Sequence, residues 1–232
     1  MSKPRTKSRW GWWITAGLAF CLLAAGLRVG LPLYRRNVAL ATVTRLKFTV
    51  KTSSQRPEWL RKYDRWGWTN GLDSVNEIYD WHYTGSRLSE TEIDEFLSQI
   101  RVFHELKRLD MFGINLQDRD LSVLEYFPNL ESLNLEMSSV TGDGMKYLAS
   151  SLKIHELILT NTEVDDAGLS RLALHVKLAR LDLDGTHVSD AGLKHLAQLP
   201  NLNTLNVSNT AVTEAGLDEL LKSHPALSVT DD

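Results

Sequence analysis

The chain has 232 residues, of which 43% are hydrophobic and 24% are charged, a balance typical of a folded protein rather than a disordered one. This length allows one extended domain with a short appendage. Cys21 is the only cysteine, which excludes a disulfide framework and a cysteine-based zinc site.

The small net charge of −3 conceals a strong separation of charge along the chain. Residues 1–57 contain 11 lysines and arginines and no acidic residue, whereas residues 58–232 contain 15 basic and 29 acidic residues, a formal charge of −14. Such an acidic body repels a phosphate backbone, so we do not expect it to bind nucleic acid.

An uncharged run follows the basic N-terminal tail, residues 1–9. Trp10–Leu27 contains 18 residues without a charge, and a helix of that length, at ~1.5 Å per residue, approaches the ~30 Å thickness of a bilayer core. Residues 10–34 are therefore predicted as a single-pass transmembrane signal anchor. The alternative is a signal peptide cleaved near Ala24-Ala25-Gly26. Four basic residues precede the run and three, Arg28, Arg35 and Arg36, follow it closely, a small excess that favours an N-terminus inside and a repeat domain outside the cytoplasm.

The segment after the anchor is predicted as a basic juxtamembrane linker, residues 35–57, followed by an aromatic N-terminal cap, residues 58–77. Within the linker, residues 36–46 are compatible with a short helix and residues 47–51 alternate like a short strand. Large rings can cover the open end of a repeat stack, although a stacking platform for a glycan or peptide is the alternative. The aromatic residues in question are Trp59, Tyr63, Trp66, Trp68, Tyr79, Trp81 and Tyr83.

A repeat of 24 residues organises the remainder of the chain. Residues 178–196 read L-x-x-L-x-L-x-x-T-x-V-x-D-x-x-L-x-x-L, and the same positions recur at steps of 24 from residue 106 to residue 220. An upstream unit that starts at Ile78 fits the template after a step of 28 residues. Ser89-Glu90-Thr91-Glu92 has the form of a capping box and predicts a helix from about Glu90. Leu227 and Val229 predict the stub of a seventh strand.

These units resemble the leucine-rich repeat family over residues 78–229. The stretch 188–193, with its counterparts at 164–169 and 212–217, is similar to a bacterial subset with 24-residue repeats, whose members often carry one N-terminal membrane segment. The resemblance implies an α/β fold, a leucine-rich-repeat solenoid in which a curved parallel sheet has helices on its convex side, preceded by one transmembrane helix. Residues 78–232 are accordingly predicted as a domain of six repeats.

The physical reading of the repeat agrees with this resemblance. One unit cannot bury its leucines alone, but stacked units form a continuous core, so residues of the Leu181 class should point inward. A hydroxyl at Thr186 can bond the backbone at the bend after the strand, which Ile114 cannot do. Acidic residues such as Asp166 and Asp190 stand at the start of each helix, where they are predicted to act as caps, in preference to metal ligands or acid–base catalysts.

The strand residues between the inward leucines should point outward on what we call the concave face of the sheet. Phe112 and Ile158 are apolar there, so they either pack against flanking side chains or anchor a protein partner. The excess of acidic residues on this face favours a basic or donor-rich partner. The predicted partner-binding residues are Asp80, His82, Arg108, Asp110, Phe112, Asn134, Glu136, Glu156, Ile158, Arg180, Asp182, Asp184 and Asn206.

The first functional hypothesis is a membrane-anchored, non-enzymatic module that binds a protein of unknown identity through the concave face, with no cofactor and no metal. An enzyme, a hydrolase or a metal-assisted one using acidic concave-face residues, is the alternative, and it needs convergent histidine and carboxylate groups. A passive structural protein of the envelope is the third hypothesis. The sequence specifies neither the ligand nor the oligomeric state, because the exposed positions vary freely while the leucines fix the fold.

Overall fold

The computed structural model describes residues 30–53, 73–79 and 88–231. The uncharged run Trp10–Leu27, residues 58–72 of the aromatic cap, Asp80 and His82 lie outside the described residues. Within the described part, every helix is too short or too polar to cross a bilayer.

The described chain begins with helix α1 (Leu31–Arg45) and strand β1 (Thr49–Ser53). Pro32 stands in the first turn of α1, where its fixed φ suits a helix start. Ala39 and Val43 are fully buried, so α1 forms the first layer of the fold and is not a free linker. The helix and the strand expected within residues 35–57 are thus both present.

One sheet contains the eight described strands in chain order. Strand β2 (Ser74–Tyr79) pairs antiparallel with β1, and all later pairs are parallel. The later elements are α2 (Glu90–Ile100), β3 (Arg108–Asp110), a 3₁₀ helix (Asp118–Tyr126), β4 (Ser132–Asn134), a 3₁₀ helix (Gly142–Ser150), β5 (Glu156–Ile158), α3 (Asp166–Arg171) with a 3₁₀ turn (Leu172–Leu174), β6 (Arg180–Asp182), α4 (Asp190–Leu196), β7 (Thr204–Asn206), α5 (Glu214–Ser223) and β8 (Ser228–Thr230).

The register of the sheet confirms the repeat arithmetic. Leu109, Leu133, Leu157 and Leu181 are direct partners on successive strands, and Ile78 is the partner of Leu109 despite the longer first step. These side chains are at most 1% exposed and belong to one continuous apolar core. In two repeats the segment that connects one strand to the next is a 3₁₀ helix. Its rise of about 2.0 Å per residue lets a short segment span the convex side of the repeat.

The hydroxyl predicted at the bend after the strand is present and bonds as expected. Thr186 Oγ1 donates to the carbonyl of Leu183 at 2.6 Å, and the equivalent hydroxyls of Ser138, Thr162 and Thr210 make the same bond at the same distance. Ile114 is fully buried, and its carbonyl instead accepts a 2.7 Å bond from the backbone N–H of Leu116.

The aspartates predicted as helix caps instead bridge neighbouring repeats. Asp166 accepts from the backbone N–H and the hydroxyl of Ser189 at 2.8 and 2.6 Å, and Asp190 accepts from Thr213 in the same way at 2.8 and 2.7 Å. Asp118 accepts likewise from Thr141. The caps themselves are the preceding residues, such as Ser189 and Thr213, whose hydroxyls accept from the first turn.

One junction departs from this pattern. Gly142 stands where the bridging aspartate would be, and the cap of the next repeat is Asp165, whose carboxylate accepts from the Gly168 N–H at 3.0 Å. A Cβ on Gly142 would lie 2.1 Å from Asp165 Oδ1, so an aspartate does not fit there. Arg171 links the two repeats instead, donating to the Gly142 carbonyl at 2.7 Å and pairing with Asp143 at 2.8 Å.

The first helix is tied to the repeats by Arg36. Its guanidinium pairs with Glu105 and donates to the carbonyls of Asp73 at 2.7 Å and Val102 at 3.3 Å. It also lies 5.2 Å from the ring centroid of Phe103. Burial raises the pKa of Glu105, but the hydrogen bond from Arg36 and the other hydrogen bonds to the carboxylate outweigh burial and hold that pKa below its ordinary value.

Replacing Arg36 by Met should lower the free energy of unfolding by about 2 kcal/mol, because loss of the guanidinium leaves its partly buried hydrogen-bond acceptors unpaired. Arg35→Met changes the exposed neighbour and is the matched control, with an expected effect below ~0.5 kcal/mol. Urea unfolding of the full chain in detergent measures both free energies of unfolding.

Because folding lowers the pKa of Glu105, the stabilisation is present above its ordinary pKa and is lost as the pH falls through the folded-state value. The difference between wild type and Arg36→Met should therefore shrink in acid, and equal losses from both variants would contradict the assignment.

A double-mutant cycle tests whether Gly142 and Asp165 together replace the pair of an aspartate and a serine or threonine found at the other junctions. Gly142→Asp alone should cost about 1–3 kcal/mol through overpacking and repulsion between two carboxylates. Adding Asp165→Ser recreates the pair found at Asp166 and Ser189, so the double variant should recover part of the loss. We expect a favourable coupling energy within the ~0.5–3 kcal/mol typical of touching residues, measured by urea unfolding. Strictly additive losses would show that the two positions do not compensate each other.

Candidate functional site

The concave face presents three rows of side chains that run across the strands. The strand register places equivalent residues of successive repeats side by side, one repeat apart. The first row is Arg108, Ser132, Glu156, Arg180 and Thr204; the second row is Asp110, Asn134, Ile158, Asp182 and Asn206; the third row is Phe112, Glu136, Thr160, Asp184 and Ser208. All described members of the predicted partner-binding set therefore lie together on one face.

The first row largely satisfies its own charges. Glu156 accepts a 2.7 Å hydrogen bond from Ser132 Oγ and lies 3.7 Å from Arg180 and 4.0 Å from Arg108. Both arginines are nevertheless exposed. The carboxylate is thus held between two guanidinium groups whose remaining donors face solvent.

The second row has a structural role that the sequence analysis missed. The side-chain oxygens of Asp110, Asn134, Asp182 and Asn206 accept from the backbone N–H two residues later, at distances between 2.9 and 3.3 Å. Such Asx turns end each strand and set the direction of the chain at the bend. The recurrence of Asp or Asn at this one repeat position was the signal available in the sequence.

Ile158 interrupts the second row. An isoleucine has no oxygen to accept from the backbone, so its repeat lacks the strand-ending bond that the other four make. Thr160 Oγ1, two residues later, instead donates to Asp182 Oδ1 on the next strand at 3.0 Å. Ile158 is only partly buried, between Asn134 and Asp182 on the flanking strands. This repeat therefore lacks a local hydrogen bond and has instead a partly buried aliphatic side chain on the concave face.

The third row concentrates negative charge. Burial raises the pKa of Glu136, and the charges of Asp182, Asp110 and Asp184 raise it further. Asp184 Oδ1 accepts from Asn209 Nδ2 at 2.8 Å, which is a neutral donor. The pKa of Glu136 is therefore raised by burial first and by the three nearby carboxylates second.

The N-terminal end of the face differs from its centre. Phe112 is partly buried, and both Phe112 and Asp110 are engaged in further interactions, so neither is a free surface group. Asp80 and His82, the remaining predicted partner-binding residues, lie outside the described residues. Phe112 and Ile158, the two apolar residues of the three rows, are both partly buried.

The described residues do not bring together a group of histidine, cysteine and carboxylate side chains suited to a metal ion. His155 lies off the concave face, 4.0 Å from Glu131 on the loops that precede β5 and β4. Two grooves also lie elsewhere, one of 590 Å³ between α4 and α5 and one of 480 Å³ beside His155. The chemistry that this face offers is surface recognition by carboxylates, guanidinium groups and one aliphatic side chain.

Comparison with known proteins supports the repeat assignment. A family model described as Leucine Rich repeat matches residues 128–149, which contain β4 and all but the last residue of the following 3₁₀ helix. No curated protein matches the chain significantly. The in-register parallel sheet makes the described body an α/β solenoid, and residues 128–149 within it match a leucine-rich repeat.

Solved structures similar to this chain include two internalins of Listeria monocytogenes str. 4b F2365. Internalin C2 is 28% identical, and the match covers 58% of this chain and 55% of that chain with a TM-score of 0.49. A second internalin (inlF) is 17% identical, with coverages of 58% and 44% and a TM-score of 0.44. The chain thus spans about half the length of the internalins that it matches.

Glu136→Gln tests the negative potential on the concave face. Because folding raises the pKa of Glu136, its ionisation opposes folding, and this cost is absent below the ordinary value of 4.5 and appears as the pH rises through the folded-state value. The variant should therefore melt at a slightly higher temperature than wild type at pH 7, and the gap should close in acid. Glu125→Gln, at an exposed position off this face, is the control. A gap that is absent at pH 7, or that persists in acid, would refute the charge assignment.

Proposed function

We propose that the chain is a membrane-tethered, non-enzymatic binding module whose concave face captures a basic protein partner. The observation that carries this proposal is Ile158, which breaks a row of strand-ending Asp and Asn residues and places an aliphatic side chain among carboxylates. The four other repeats place an Asp or Asn acceptor at this position, and the isoleucine forgoes that hydrogen bond, so we infer that it is retained for contact with another molecule.

The surroundings of Ile158 have the composition of a binding hot spot. A desolvated apolar group surrounded by polar residues contributes strongly to binding when a partner excludes water from it. Glu136, Asp182 and Asp184 supply the polar surroundings, and three carboxylates grouped on one face are complementary to a cationic partner. A partner with lysine or arginine side chains around an apolar contact fits both features.

The tether is proposed from the sequence. Trp10–Leu27 lacks charges, and the four basic residues before it favour an N-terminus inside, so the repeat domain is proposed to lie outside the cytoplasm. The described residues are compatible with this arrangement, because the solenoid begins within a few residues of the uncharged run.

Affinity capture with the Ile158→Asp variant tests the proposed binding face. The full chain is extracted from its membranes in detergent, and captured proteins are quantified for wild type, Ile158→Asp and the control Val38→Asp, which changes an exposed aliphatic residue of α1. We expect a defined set of proteins with wild type and control that falls at least about tenfold with Ile158→Asp, as for a hot-spot loss above ~1.4 kcal/mol.

The same measurement separates the alternatives. Recovery of one protein set from all three chains would remove the concave-face assignment. Absence of any reproducible set with wild type would favour a passive envelope spacer. Capture that weakens as salt is added would support the electrostatic part of the proposal, because exposed charges are screened.

A further inference from the structure

The solenoid has two edges that are set by the direction of its strands. Parallel strands all begin at one edge and end at the other, because each repeat returns through its helix. The strand-start edge comprises residues 30–36 and the loops 101–107, 125–131, 150–155, 174–179 and 198–203. The strand-end edge comprises the loops 112–118, 136–142, 160–166, 184–190 and 208–214.

The two edges have opposite charge. The strand-start edge contains six lysines and arginines and three glutamates, whereas the strand-end edge contains eight acidic residues and no lysine or arginine among the described residues. Two of the three glutamates are paired at the strand-start edge, Glu105 with Arg36 and Glu131 with Lys107 at 2.8 Å. From residue 58 onward, where the chain has a formal charge of −14, the strand-start edge has four basic and three acidic residues, and Arg35 and Arg36 of the preceding segment add to its positive charge.

Exposed apolar side chains gather on the same basic edge. Leu174 is 71% exposed, Val176 is 50% exposed and Leu152 is 48% exposed. Leu152 and Val176 occupy the same position in neighbouring repeats, and each is followed by an exposed lysine, Lys153 and Lys177 respectively. Of the eight large hydrophobic residues exposed in the described part, seven lie in these loops or on α1, and only Met137 lies at the strand-end edge.

The chain also reaches the fold at this edge. Arg36, near the start of α1, contacts Val102 and Glu105 in the loop before β3. Arg45, at the end of α1, contacts Glu95 in the middle of α2, so α1 runs from the strand-start edge towards the opposite edge. Gly30 comes three positions after Leu27, the last residue of the uncharged run, a chain length of about 10 Å at most.

We propose that the strand-start edge rests on an anionic phospholipid surface, with Leu152, Leu174 and Val176 in the headgroup layer and Lys153 and Lys177 against the lipid phosphates. The inference rests on the membrane tether of the proposed function, which delivers this edge to the bilayer. Basic residues are attracted to an anionic membrane surface, and aliphatic residues add the burial of their side chains at the interface.

This docking sets the orientation of the binding face. The acidic strand-end edge is repelled by the same lipids, so only one edge faces the bilayer. The strands then run away from the membrane, and the concave face stands upright with Ile158 accessible from the side. A tether alone would leave the solenoid free to tumble, whereas a docked edge presents the concave face in one orientation.

Fluorescence in lipid vesicles tests the docking. Cys21→Ala removes the only cysteine from the full chain, and an environment-sensitive fluorophore is then attached at Leu174→Cys or, as the matched control on the opposite edge, at Ala211→Cys. The chains are reconstituted into vesicles of phosphatidylcholine with or without phosphatidylglycerol, each containing a lipid-borne quencher. We expect several-fold stronger quenching at residue 174 than at residue 211, dependent on phosphatidylglycerol and abolished by Lys153→Glu with Lys177→Glu.

The outcomes separate this inference from the tether. Failure of the full chain to float with vesicles after alkaline washing would overturn the tether itself. Flotation with equal quenching at residues 174 and 211 would overturn the docked edge while leaving the tether intact. Strong quenching at residue 174 without phosphatidylglycerol would refute the anionic lipid as the determinant. Melting curves of the lysine variants confirm that they fold.

Discussion

The structure depends on one constraint, the burial of aliphatic side chains at a fixed step along the chain. Leu133, Leu157 and Leu181 are direct partners on neighbouring strands and are at most 1% exposed, so a shift in register would take a whole row out of the core. Because the step is the same in each repeat, every other residue class is also stacked into a row. The hydroxyls at the bends, the bridging aspartates and the strand-ending Asx residues are consequences of this stacking.

The positions that break a row are therefore informative. At Gly142 and Asp165 the break is compensated. The glycine has no Cβ to clash with the nearby carboxylate of Asp165, and Arg171 links the two repeats. At Ile158 the strand-ending hydrogen bond is lost, and a partly buried aliphatic side chain lies among carboxylates. The first break has a structural explanation within the fold, and the second has its best explanation in a partner.

The repeat also makes the two edges of the sheet different from each other. Strands that share one direction sort the loops into two edges, and the charges and exposed aliphatic residues divide between them. The N-terminal layer adds to this asymmetry, because Arg36 fixes the start of α1 at the basic edge. The proposed binding face and the proposed membrane edge are thus roughly perpendicular surfaces of one slab, and each leaves the other accessible.

The sequence by itself determined the solenoid, the inward leucines, the bend hydroxyls and the start of α2 at Glu90, because each follows from the identity and spacing of residues within one or two repeats. It also gave the members of the concave face, but not which of them are open to a partner. Only the tertiary structure decided that Asp166 bridges to Ser189, that Asp182 ends its strand, and that Arg36 joins α1 to Glu105, 69 residues away. These roles depend on the distances between atoms brought together by stacking, and a carboxylate or guanidinium in a sequence gives no sign of which distant donor or acceptor it will meet.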